Sequence, residues 1–66
     1  MDQSQETPVP PLLLTIPQTA QILGLGKTKV YELIWKENLP VHKFGRSVRI
    51  SPSELQQWLQ QRRERL

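Results

Sequence analysis

The sequence predicts a small α+β domain that is mostly α, with three helices and one two-stranded hairpin. Two apolar-periodic segments are separated only by Gly-Leu-Gly at residues 24–26, which predicts two short helices joined by a tight turn. A Ser-Pro pair at residues 51–52 opens a third periodic segment. Two short alternating runs flank Gly45 and predict the hairpin. The chain has 66 residues, which allows one domain and leaves no room for an enclosed active site.

Residues 1–11 are predicted to be a disordered or extended leader, because they are polar and rich in proline. The folded domain is predicted to span residues 12–66 and to begin at the apolar run of residues 12–14. The first residues have neither the basic nor the apolar region of a secretory signal, and no apolar run is long enough to span a bilayer. The absence of cysteine fits a cytoplasmic protein, which is the location that we expect.

The first predicted helix begins at a capping box formed by Thr15 and Gln18. Pro17 fits the first turn, where a missing N–H has no cost, and Gly24 ends the helix in the left-handed conformation. The predicted buried face consists of residues spaced four and three apart, namely Ile16, Ala20 and Leu23.

Residues 27–36 form the second predicted helix, and its apolar spacing predicts that Val30, Leu33 and Ile34 are buried. Leu25, in the turn before it, is predicted to fill the space between the two helices. Two helices joined by a short turn that contains glycine describe a helix-turn-helix.

The runs at residues 41–44 and 47–50 are predicted to pair as a hairpin with Gly45 in its turn. A hairpin that follows a helix-turn-helix is a wing, and residues 45–47 would form its tip. The alternative is an edge hairpin whose charges protect it from aggregation. Lys43 and Arg49 are predicted on the outer face of the strands, because the inner face is assigned to three apolar residues, Phe44, Val48 and Ile50.

The third helix begins with Ser51 as N-cap, Pro52 at the first position and Glu54 completing a predicted capping box. Its end is rich in arginine, which the helix dipole favours. The predicted buried face comprises Leu55, Trp58 and Leu59, with Leu66 in phase.

The charge of the chain favours a polyanionic partner. The formal net charge is +3, and from Leu12 onward nine Lys and Arg residues stand against four acidic residues. Without cysteine and with the single histidine His42, no metal site, cofactor or thiol nucleophile is predicted, and the chain is not expected to be an enzyme. A basic surface that only confers solubility is the alternative.

The outer face of the second helix is the predicted DNA-reading surface, since a recognition helix needs an apolar back and a front with cations and short polar groups. Alternatively, Lys29 and Lys36 are solvated charges, and Tyr31 is a packing residue. Glu32 either pairs with Lys36 or accepts a hydrogen bond from a cytosine amine, and the pairing is favoured. The predicted contacts are Lys27, Thr28, Lys29 and Tyr31 in one groove, Arg46 from the wing tip, and Lys36, Lys43 and Arg49 on phosphates.

The segment of residues 13–59 resembles the excisionase-type helix-turn-helix domain, which is related to the winged domain of MerR-type regulators. The shared features are the Leu-Thr start, Ala20, Leu23-Gly24, Val-Tyr-Glu-Leu-Ile at residues 30–34, Leu39-Pro40, Gly45-Arg46, Val-Arg-Ile at residues 48–50, and a last helix that opens with Ser-Pro and ends in Trp-Leu.

The resemblance implies that the helix beginning at Lys27 enters the major groove and that Arg46 enters the minor groove. Two positions depart from the family pattern: Gly26 stands where a Ser or Thr N-cap is usual, and Trp35 stands where a cation is usual. The role of Trp35 is left open between the hairpin, a DNA sugar and a protein partner.

Members of this family include factors that direct site-specific recombination toward excision, and also small transcription regulators. We therefore expect a sequence-preferring double-stranded DNA-binding protein that acts as a recombination directionality or architectural factor. The alternatives are a transcription regulator of the same fold and an adaptor that docks on a recombinase. The expected partners are double-stranded DNA, an integrase or recombinase, and a second copy bound to DNA, with no membrane.

Overall fold

The computed structural model describes residues 11–64 and has the predicted mostly helical α+β fold. The predicted leader, apart from its last residue, and the last two residues of the predicted domain lie outside the described residues. The elements follow in the order α1 (Ile16–Leu23), α2 (Lys27–Glu37), β1 (His42–Phe44), β2 (Ser47–Arg49) and α3 (Pro52–Gln61), and the two strands form an antiparallel sheet. Within residues 11–64, no helix has the length and apolar character needed to cross a bilayer.

α1 begins with the predicted capping box. The Gln18 N–H donates to Thr15 Oγ1 at 3.2 Å, and the Thr15 N–H donates to Gln18 Oε1 at 2.9 Å. Thr19, which is fully buried, donates its hydroxyl to the Thr15 carbonyl at 2.8 Å, so this polar group is satisfied inside the core. The start of α1 is therefore fixed by local hydrogen bonds of residues that lie three and four apart.

Gly24 ends α1 in the left-handed conformation, with φ of 70°, as predicted. The Gly24 N–H donates to Gln21 O at 3.2 Å and the Leu25 N–H to Ala20 O at 2.9 Å, which is the hydrogen-bond pattern of a Schellman motif. The prediction that Leu25 fills the space between the helices is wrong. Its backbone closes α1, while 41% of the residue remains exposed.

The core lies between the three helices and the inner side of the hairpin. Val30 and Ile50 are completely buried, and the predicted burial of Ile16, Ala20 and Leu33 is confirmed. Leu23 and Ile34 are partly buried against this core. The complete buried apolar set is Leu14, Ile16, Ala20, Val30, Leu33, Leu39, Ile50, Leu55 and Trp58.

Leu14 pairs with Ile50 through an isolated antiparallel bridge, which sequence periodicity did not predict. Leu14 N donates to Ile50 O at 2.7 Å, and Ile50 N donates to Leu14 O at 2.8 Å. Because this bridge joins the segment before α1 to the residue after β2, it fixes the base of the hairpin beside the helix-turn-helix.

α3 is attached to the end of α2. Asn38 ends α2 in the left-handed conformation, and the Glu37 carbonyl accepts a hydrogen bond from Trp58 Nε1 at 3.0 Å. The Arg62 guanidinium lies 4.6 Å from the centroid of the Trp58 ring, and its Nη1 is 2.8 Å from Glu37 Oε1. These contacts fix the end of α2, which is the helix that carries the predicted reading surface.

Three predictions for α3 need correction. Ser51 is the N-cap, with its Oγ 3.4 Å from the Glu54 N–H, but the Glu54 carboxylate contacts His42 Nε2 at 2.9 Å and so does not complete a capping box. Leu59 is 41% exposed, because it lies at the edge of the buried stripe that Leu55 and Trp58 occupy. The last turn of the helix contains no basic residue, and the first of the arginines is the C-cap, Arg62.

Candidate nucleic-acid interface

α2 presents a polar and aromatic outer face because its apolar residues point to the core. Val30 is completely buried and Leu33 is 9% exposed, and Ile34 packs partly against the same core. The opposite face carries the predicted side chains Thr28, Lys29 and Lys36, all exposed. The arrangement is the apolar back and polar front of an amphipathic surface helix.

The N-terminal end of α2 lacks a side-chain cap. Gly26 is the N-cap, in extended geometry, and Lys27, Thr28 and Lys29 make up the first turn. Their N–H groups have no partner within the helix, and the positive end of the helix dipole lies here. The first turn therefore combines two cations with backbone donors, a combination that suits a phosphate.

Glu32 links two cations of the outer face. Its Oε1 lies 3.2 Å from Lys29 Nζ, and its Oε2 lies 3.3 Å from Lys36 Nζ. Hydrogen bonding to Lys29 first, and then to Lys36, lowers the pKa of the Glu32 carboxyl below its ordinary value. The pairing of Glu32 with Lys36 is as predicted, and the second pairing, with Lys29, was not predicted.

Tyr31 and Trp35 form an aromatic patch on the same face. Their ring centroids are 6.4 Å apart and the ring planes are tilted by 41°. Trp35 is 77% exposed and Tyr31 is 42% exposed. The patch borders a depression of about 410 Å³ that is also lined by Thr28, Glu32 and Lys36.

The hairpin turns at Gly45 and Arg46, since Phe44 and Ser47 are already paired with each other in the strands. Gly45 has a φ of 62°. Asn38 is the one non-glycine residue with a positive φ among the described residues, so the φ of Arg46 is negative. A positive φ at the first turn residue and a negative φ at the second fit a two-residue turn with glycine at its first position. Arg46 is exposed at this tip, as predicted for a wing.

The wing tip and the outer face of α2 border one concavity, which we call the wing groove. It measures about 280 Å³ and is lined by Thr15, Ile16, Pro17, Tyr31, Arg46, Ser47, Val48 and Arg49. Tyr31 also lines the depression beside Trp35. Because one side chain borders both cavities, the wing groove and the reading face of α2 lie next to each other.

The predicted placement of Lys43 and Arg49 on one outer face is wrong. The strands pair His42 with Arg49 and Lys43 with Val48, and residues directly opposite each other in an antiparallel pair share a face. Lys43 therefore shares a face with Val48, whereas Arg49 shares the other face with His42. Since the two-residue turn sets this register, the two cations point to opposite sides of the hairpin.

The register also corrects the predicted position of Phe44. It lies opposite Ser47 and is 59% exposed, while Val48 packs partly against the core and Ile50 is completely buried. Side chains alternate along a strand, so the face that carries Val48 and Ile50 cannot also carry Phe44. Two of the three apolar side chains assigned to the inner face are thus placed there.

The predicted site residues separate into four places. Thr28, Tyr31 and Lys36 border the depression on α2, and Arg46 and Arg49 border the wing groove together with Tyr31. Arg49 is half-buried, and its Nη1 donates to Val48 O at 2.9 Å. The remaining three residues lie at the start of α2 or on β1, namely Lys27, Lys29 and Lys43.

The first residues of α1 belong to the wing groove, which sequence reasoning missed. Thr15 and Pro17 line it opposite the wing. Leu14 and Ile16 are buried and Thr15 between them is not, but the sequence itself shows no period of two, because residues 12–14 are three consecutive leucines. An extended Leu14 is what brings the start of α1 to β2.

Comparison with known families gives one match. The family described as a helix-turn-helix domain matches residues 13–63, well over half of the chain. Searches of curated proteins and of solved structures found no match.

Proposed function

Since this chain belongs to the helix-turn-helix domain family, which is of the excisionase type, we propose that it binds double-stranded DNA with α2 in the major groove and the Gly45–Arg46 turn in the adjacent minor groove. The family itself points to DNA as the partner. The DNA-binding unit in this proposal is residues 12–66, and the family match nearly fills that span.

One observation carries the docking geometry: Tyr31 borders both the depression on α2 and the wing groove. A helix in the major groove and a cation in the next minor groove must project from the same side of the protein. The major groove is about 12 Å wide and accepts one α-helix. A wing beside α2 then lies over the flanking backbone, where a narrow minor groove attracts arginine.

The proposed contacts divide by chemistry. Lys29 and Thr28, in the first turn of α2, face base edges, and Arg46 enters the minor groove. The cations with phosphate roles are Lys27, Lys36, Lys43 and Arg49. Lys43 and Arg49 lie on opposite faces of the hairpin, so in this proposal they contact different phosphates.

Binding to duplex DNA is tested with a pool of random-sequence duplexes, from which bound molecules are selected and sequenced. We expect a recurring motif, and an affinity for the selected duplex that falls linearly with the logarithm of salt concentration. The matched control is a single strand of the same sequence. Equal affinity for single strand and duplex, or the absence of any motif, would contradict sequence-preferring duplex binding.

Within DNA binding, we favour an architectural role in recombination over transcription regulation, because the matched family is of the excisionase type. An architectural factor deforms its site, whereas a regulator that only occupies an operator need not. The mobility of the selected site, placed at different positions along a DNA fragment, separates the two. A mobility that changes with position indicates a bend and supports the architectural role, and a constant mobility favours the regulator.

A further inference from the structure

The aromatic patch of Tyr31 and Trp35 is the feature of α2 that phosphate contacts do not explain. Trp35 exposes 77% of its surface, and apart from Tyr31 the other outward residues of α2 are lysine, threonine or glutamate. A large exposed apolar side chain beside a depression marks a binding surface.

The surroundings of the patch suit DNA. Lys36 and Thr28 line the depression, and Lys29 lies on the same face. The carboxylate in the depression is Glu32, and both of its oxygens are engaged by lysines, at 3.2 and 3.3 Å. An apolar surface that is rimmed by cations, with its acid already paired, is complementary to an anionic partner that also presents an apolar group.

A DNA major groove presents one such apolar group. Base edges there carry hydrogen-bond donors and acceptors, and the thymine 5-methyl group is the exception. Resting on the DNA binding proposed above, we infer that the aromatic patch is a specificity-determining site that contacts thymine methyl groups in the major groove. Tyr31 and Trp35 supply the apolar surface, and Lys36 binds a phosphate beside it.

The length of α2 permits this contact. Trp35 follows Thr28 by seven residues, which is about 10 Å along a helix axis. Base pairs follow one another about every 3.4 Å along a duplex. When α2 lies along the groove with Thr28 near one base edge, Trp35 therefore lies over base edges about three steps away, where a thymine methyl can be contacted. The expected motif contains thymine at the position that Trp35 faces.

The test compares the selected duplex with a copy in which every thymine is replaced by uracil, which removes only the methyl groups. The wild-type protein should bind the uracil duplex more weakly, by about fourfold for each methyl group that becomes buried. Trp35→Ala should discriminate between the two duplexes less than the wild type does, because only Tyr31 of the patch remains, and undiminished discrimination would overturn the inference. Trp35→Phe should keep part of the discrimination, since it keeps an aromatic ring.

Ile22→Ala is the matched control, because it removes an exposed apolar side chain from α1, and it should discriminate as the wild type does. Circular dichroism verifies that each variant is folded. Wild-type protein that binds both duplexes with equal affinity overturns the inference and leaves the proposed function intact. Failure to bind either duplex overturns both the inference and the proposed function. Equal affinity combined with a dimer that Trp35→Ala dissociates would assign the patch to a second copy and also overturn the inference.

Discussion

Glu32 pairs with two cations on the outer face of α2, and it also places a negative charge there. The contacts to Lys29 and Lys36 are exposed ion pairs, which contribute little to stability. Both lysines can therefore exchange the carboxylate for a phosphate or a base edge at small cost. In the proposed complex we therefore expect Glu32 to lower the affinity for DNA.

We expect Glu32→Gln to raise DNA affinity about two- to fivefold at low salt, because it frees both lysines and removes the repelling charge. Fluorescence anisotropy with the selected duplex measures this change. Glu64→Gln, which changes the net charge equally outside α2, is the control and should have a smaller effect. An unchanged or reduced affinity would mean that Glu32 itself contacts the DNA.

The same carboxylate makes stability depend on pH in a defined direction. Its pKa in the folded protein lies below the ordinary value of 4.5, because Lys29 and then Lys36 stabilise the charged form. Its contribution is therefore complete above the unfolded pKa and is lost as the pH falls through the folded pKa. Urea unfolding should show wild type and Glu32→Gln converging in stability as the pH falls below the ordinary pKa of 4.5. A difference that persists unchanged in acid would contradict this.

In the proposed complex, Arg46 is the residue expected to supply the contribution of the wing to DNA binding. Arg46→Ala should leave the fold unchanged, because the side chain is exposed at the turn. It should weaken binding at about 100 mM salt and reduce the salt slope by about one. Arg63→Ala, another exposed arginine, should change the affinity less. If both variants bind like the wild type, the wing has no place in the interface.

Among the elements, the hairpin depends most on one backbone conformation. Gly45 has a φ of 62°, with nothing within 4 Å of the position that a Cβ would take. Gly45→Ala should destabilise the protein by about 1–2 kcal/mol through backbone strain alone. Gly45→Asn should lose about as much, because a turn with positive φ only at its first position uses a conformation outside the left-handed region that Asn tolerates. Chemical denaturation measures both losses, and unchanged stability of either variant would contradict this strain.

Local chemistry made the helix boundaries predictable. Thr15, Gln18 and Gly24 act on residues that lie within a few positions of them, so their roles could be derived from the sequence. The bridge between Leu14 and Ile50 joins distant residues and could not be derived in this way.

In the candidate site, too, local features could be predicted from the sequence and contacts between distant residues could not. Helical periodicity correctly predicted exposed positions for Thr28, Lys29, Trp35 and Lys36. Burial of the apolar face of α2 is enough to determine which side of the helix faces the solvent. The faces of Lys43 and Arg49 depend on the pairing register, and a two-residue turn set it differently from the prediction. The position of Tyr31 between two cavities depends on how the wing packs on α2, which is a tertiary property.

At the scale of the whole molecule, a few buried side chains hold together a domain that is small and therefore marginal. Ile50 is completely buried and also forms the bridge to Leu14. Ile50→Ala should cost about 2–5 kcal/mol, and Ile50→Val about 0.5–1.5 kcal/mol. Ile22→Ala, at an exposed position, should change stability by less than about 0.5 kcal/mol. Similar values for Ile50→Ala and Ile22→Ala in urea unfolding would contradict the described core.

The two tryptophans of this chain differ sharply in exposure, at 77% for Trp35 and 8% for Trp58. Their emission spectra should therefore differ, with a red-shifted, iodide-quenchable signal from Trp35 and a shielded, bluer signal from Trp58. Titration with a ligand that covers α2 would alter the first signal, and denaturation would alter the second. The protein thus carries two intrinsic fluorophores that can follow association and unfolding separately, without an added label.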